Sequence, residues 1–147
     1  MDETAFRQAR KAAVEHPCPF EKALLAGCGA CALAQRRNIA EREAVACCEG
    51  AASQSCAALL ALLRRNAAFA LHQAHAEERL THAQELKVQC GGLAGLHRAL
   101  ARPDEIGDVN ALVQAASRAQ DGPEDLPWPA IMQSVAAWRP RRRAGRS

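Results

Sequence analysis

The chain has no tyrosine, and its aromatic residues are limited to Phe6, Phe20, Phe69, Trp128 and Trp138. Valine, isoleucine and threonine are also scarce, so the residues that favour strands are few. The apolar half of the composition is instead dominated by alanine and leucine, both strong helix formers. An all-α fold is expected: a compact bundle of about five to seven short helices. No apolar run approaches the roughly 18 residues that a membrane span needs. The first residues, Met1-Asp2-Glu3-Thr4-Ala5-Phe6-Arg7, are charged and carry no apolar h-region, so no secretory signal is expected. A cytoplasmic, reducing location follows as an expectation, and stable disulfides are rare there. There is no phosphate-binding glycine loop, no H-E-x-x-H and no G-x-S-x-G elbow. Enzymatic activity is therefore not expected, unless a metal centre supplies it.

The net charge of +3 gives little information about partners. Arg139, Arg141, Arg142, Arg143 and Arg146 are five of the 19 basic residues; the remaining 14 face 16 acidic ones. The body, residues 1–138, reads as one slightly acidic helical domain. Residues 139–147 read as a disordered Arg-rich tail. Nucleic acid is not an expected partner except through that tail, by phosphate contacts alone. A protein redox or regulatory partner is the expected one.

Punctuation along the chain sets the expected elements. A first helix runs from about residue 3 to 15, with Phe6, Ala9 and Ala13 as its stripe, and His16-Pro17-Cys18-Pro19 ends it. A short helix from Phe20 to Ala26 closes on Gly27 as a left-handed cap. Gly27-Cys28-Gly29-Ala30-Cys31 is a tight turn, after which a helix is expected to restart near Cys31 and continue, whole or with a break at Asn38, through Cys47 and Cys48 to Gly50. From Ser53 to about Leu71, Cys56, Leu59, Leu60, Leu63, Ala67 and Leu71 form a core-facing stripe. Further helices are expected to end at Cys90-Gly91-Gly92, to cover Leu93 to Leu100, to start at Asp108 with Val109, Leu112, Val113 and Ala116 inward, and to run from Pro129 with Ile131, Val135 and Trp138 inward.

Seven cysteines are many for a chain of this kind, and an odd number cannot pair off internally. Cys28-x2-Cys31 across a glycine turn is a spacing used by both zinc and iron–sulfur sites. Cys18 precedes Pro19 at a helix start, where free backbone N–H groups favour a thiolate. A straight helix between Cys18 and Cys28 would hold them about 15 Å apart, so a shared centre needs the chain to double back at Gly27. For a fourth ligand, Cys90 is favoured by the glycines after it and Cys47 is held beside it. On a helical wheel Cys47 faces inward and Cys48 sits at the edge. Cys56, on the leucine stripe, reads as a small core hydrophobe.

The candidate metal set is thus Cys18, Cys28, Cys31, Cys90 and Cys47. With only one CxxC, a [4Fe–4S]-type cluster is preferred to zinc, and electron transfer or redox sensing is the expected role. The alternatives are a zinc-stabilised helical interaction module and a metal-free protein whose thiols are incidental. His72-x2-His75 with His82 is a weaker metal motif, and His97 reads as an interface residue.

Overall fold

The computed structural model describes residues 3–39, 41–70, 80–100, 108–118 and 122–140. His72, His75 and residues 141–147 of the Arg-rich tail lie outside them. The elements are α1 (Glu3–Ala13), α2 (Glu21–Leu25), β1 (Ala34–Ile39), β2 (Arg42–Cys47), α3 (Gly50–Ala70), α4 (His82–Ala99), α5 (Val109–Ser117) and α6 (Trp128–Ala137), with a 3-10 turn at Pro123–Asp125.

The fold is mostly helical but not all-α. Where a helix was expected from Cys31 to Gly50, β1 and β2 form an antiparallel hairpin, in register from Ala34 opposite Cys47 to Ile39 opposite Arg42. Glu41 turns the corner at a positive φ of 71°. Residues 16–18 dock on the free edge of β2: the Cys47 N–H donates to His16 O, the Cys18 N–H to Val45 O, and Pro17 bridges Ala46.

Burial explains why the pattern did not read as strand. β2 is covered on both faces. Val45 enters the main core, while Ala44 and Ala46 pack with Phe6, Val14 and Ile39 in a second, smaller core beneath α1. Three consecutive buried residues erase the period-two alternation that marks a half-exposed strand. β1 hides itself differently, since Gln35, Arg36, Arg37 and Asn38 are all exposed.

The helices expected to end at Cys90 and to restart at Leu93 are one continuous helix, α4. Thr81 opens it with a capping box: its hydroxyl accepts from the Gln84 N–H, and the Gln84 side chain accepts from the Thr81 N–H. The glycines after Cys90 serve close approach. A Cβ on Gly91 would lie 2.6 Å from Val135 Cα, and one on Gly95 would lie 3.0 Å from Ile131 Cα, so α6 rests directly on the α4 backbone. On the α3 side, a Cβ on Gly92 would lie 2.9 Å from Leu63 Cδ2. Leu63, Leu93, Leu96, Leu112, Val113 and Ile131 fill the core between α3, α4, α5 and α6.

Buried polar groups fasten α2 to this body. Gln89 Oε1 accepts the Ala23 N–H at 3.0 Å, and Gln89 Nε2 donates to Glu85 Oε1 at 2.9 Å. Glu85 in turn receives Arg64 of α3. Each buried group thereby keeps a partner.

Gly91→Ala should lower stability by roughly 1–3 kcal/mol through overpacking. This outweighs the gain of about 1 kcal/mol that alanine brings to a helix interior. A urea midpoint equal to the parent's would contradict the contact between α4 and α6.

Candidate functional site

The doubling back at Gly27 occurs: this residue has a φ of +79°, and the Cys28 N–H returns to Ala23 O. The turn brings Cys28 against α4, where Cys28 and Cys90 form a disulfide with Cα atoms 5.6 Å apart, across a sequence separation of 62. The other cysteines are free.

Four of the free thiols line one pocket, each delivered by a different segment. Cys18 comes from the stretch paired to β2, Cys31 from the turn before β1, Cys47 from the end of β2 and Cys56 from the first turns of α3. Ala34, Ala52, Ser53, Val109 and Asn110 are among the other lining residues, and no charged side chain lines the pocket. Its enclosed volume is about 10 Å³, room for about one water, against about 310 Å³ when the open mouth is counted. Cys48, next in sequence to Cys47, is exposed and does not line it.

Of the five cysteines singled out in the sequence, Cys18, Cys31 and Cys47 meet here, while Cys28 and Cys90 are bonded to each other. Cys56 joins the pocket and is also 7 % exposed within the core stripe. The one sulfur in a stripe otherwise made of leucine and alanine was the mark that could have set it apart. His82 is exposed and does not line the pocket; its Nδ1 lies 2.7 Å from Lys22 Nζ.

The thiols feel one another. Burial, first of all, pushes Cys56 up to about 12, and its neighbours Cys18, Cys31 and Cys47 add to the shift. Burial likewise raises Cys18 to about 11, against a lowering by the Phe20 N–H. Cys31 is also raised, chiefly by burial and in part by the Asp108 carboxylate, while the N–H groups of Leu33 and Asn110 oppose the rise. Cys47 donates its S–H to Glu49 O at 3.2 Å. At neutral pH Cys18 and Cys56 are therefore protonated thiols. Although four cysteines line this pocket, among the described residues no group of three or more His, Cys, Asp or Glu is arranged to hold a metal ion.

The raised thiols fix the sign of a pH effect. The folded state holds the Cys18 and Cys56 protons up to about 11 and about 12, whereas the unfolded chain releases them from 9.0. Stability should be unaffected by these groups below pH 9 and should fall as pH rises through 9 to 11, because only the unfolded state then gains by ionising. Thermal unfolding across pH 7–11 checks this, and a flat profile above pH 9 would contradict the burial of these thiols. Comparison of the chain with protein-family models, with curated proteins and with solved structures finds no match.

Proposed function

We propose that this chain is a small iron–sulfur protein, acting in electron transfer or redox sensing with a protein partner, whose [4Fe–4S]-type cluster is held by Cys18, Cys31, Cys47 and Cys56. The observation that carries the reading is that four free cysteines from four separate segments line one uncharged pocket.

A single zinc ion needs its sulfurs within about 2.3 Å of one point. A cluster spreads its ligands around a larger body than a single ion does. The N–H groups of Phe20, Leu33 and Asn110 directed at cysteine sulfurs would stabilise the charge of a bound cluster, a recognised lever on its potential. The alanine, leucine and valine lining limits water, which acts on the same property. When bound, the cluster would supply one-electron chemistry; the chain's part is to hold it and shield it. Loading must displace the protons of Cys18 and Cys56, so it should weaken as pH falls. In this reading Cys28 and Cys90 lie outside the ligand set. A cytoplasmic location sets their disulfide against a reducing thiol pool, and the ligand set does not depend on it.

Anaerobic reconstitution with ferrous iron and sulfide should give a brown protein with broad visible absorbance and about four irons per chain. Replacing Cys18, Cys31, Cys47 or Cys56 with Ser should each remove most of that absorbance, whereas Cys48→Ser and Cys90→Ser should retain it. A colourless protein carrying stoichiometric zinc would overturn the reading in favour of a zinc-stabilised module.

A further inference from the structure

The pocket thiols crowd a very small space. Its enclosed volume is about 10 Å³, room for about one water, and four of its lining residues are cysteines. The electrostatics agree with this closeness. Of the neighbouring thiols acting on Cys18, Cys31 acts most strongly, and Cys18 is the strongest of those acting on Cys56. Cys18 is thus common to the group.

The backbone on both sides of the space is set. The Cys18 N–H donates to Val45 O at 3.0 Å, Cys18 O accepts the Glu21 N–H at 3.1 Å, and Ser53 Oγ donates to Pro17 O at 3.0 Å. Across from it, Cys31 O accepts the Ala34 N–H at 3.1 Å, and Ala30 O accepts the Val109 N–H at 2.7 Å. What remains adjustable is the rotation of each sulfur about its Cα–Cβ bond. Cys31 is less buried than Cys18 or Cys56, so a small reagent reaches it first. The N–H groups of Leu33 and Asn110 are directed at its sulfur and favour the thiolate, the nucleophilic form.

We propose that Cys31 and Cys18 are a peroxide-responsive pair, joined by oxidation into a second disulfide across the pocket. The Cys31 thiolate attacks one oxygen of hydrogen peroxide; the S–O bond forms, the O–O bond breaks, and the hydroxide released takes up a proton to become water. Cys31 is then a sulfenic acid. Cys18 gives up its proton and attacks the Cys31 sulfur; the S–S bond forms, the S–O bond breaks, and the second oxygen departs as water. Two thiols have lost two electrons, and the peroxide has gained them. With room for about one water, the facing thiol reaches the sulfenic acid before a second peroxide does.

Cys18 lies ahead of the stretch enclosed by the Cys28–Cys90 bond, and Cys31 lies within it. The new bond therefore ties the N-terminal part of the chain covalently to that stretch. This is chemistry of the chain without a bound centre and does not rest on the iron–sulfur reading. Iron uptake is not its readout, so either can fail alone.

The test takes the full chain, purified with a chelator and with Cys28–Cys90 intact, exposes it to one equivalent of hydrogen peroxide, and then denatures it in an alkylating reagent. Two of the five free thiols should disappear, and peptide mapping should find Cys18 joined to Cys31. The urea midpoint should rise. Cys48→Ser, which removes the exposed thiol, should leave the cross-link unchanged. In Cys18→Ser the sulfenic acid on Cys31 should persist and be trapped by dimedone. In the unvaried chain, a count that stays at five, sulfinic acid in place of a bond, or any other pairing would overturn the proposal, whether or not the variants fold.

Discussion

The arrangement of the cysteines depends on β2 being packed on both faces and hydrogen-bonded along both edges. Val45 points into the main core while Ala44 and Ala46 point under α1, so the strand has no freedom to slip by one residue without exposing one set and burying the wrong one. Its carbonyl at Val45 holds the Cys18 amide, and its last residue is Cys47. Its partner β1 starts at Ala34, whose N–H is bonded to Cys31 O, and α3 begins at Gly50, just beyond the strand. Cys18, Cys31, Cys47 and Cys56 thus come from segments tied to β2 by hydrogen bonds or by a few residues of chain. The pocket is a consequence of the hairpin, which is why a helical reading of the same stretch could list its cysteines without assembling them.

The opposite half of the molecule is organised by the absence of side chains. Gly91 and Gly95 let α6 rest on the backbone of α4, and Gly92 admits Leu63 from α3. Cys90 immediately precedes this glycine group and is 2 % exposed. Its disulfide to Cys28 carries the position of α4 over to the Gly27 turn, and Gln89 does the same for α2 through the Ala23 amide. Adjacent residues of one helix therefore fix both the middle of α2 and the turn after it, between Cys18 and Cys31.

Much of the helical framework was legible in the residues. The α3 stripe of Cys56, Leu59, Leu60, Leu63 and Ala67 is buried as its spacing requires, as are Val109, Leu112, Val113 and Ala116 of α5. Gly27 adopts the left-handed conformation that its place after a short helix implies. The hairpin was not legible, because β2 is buried on both faces and its alanines and glutamate are better helix formers than strand formers. The continuity of α4 was hidden for a related reason: glycine marks both a helix end and a site of close backbone approach, and only the position of α6 separates the two. At the pocket, Cys18, Cys31 and Cys47 were visible as candidates. Cys56 was concealed by serving two surroundings from one helix face.

The Cys28–Cys90 bond also has a topological meaning. It closes a covalent ring that contains β1, β2 and α3, and with them Cys31, Cys47 and Cys56. Cutting the chain once anywhere inside that ring leaves a single molecule, whereas a cut outside it releases a fragment. Cys18 belongs to the part outside, ahead of the closure, and reaches the ring through the hydrogen bond its N–H donates to Val45 O and through the packing around α2. Three of the four pocket thiols are thus held within the covalent closure, and the fourth is held only by folding.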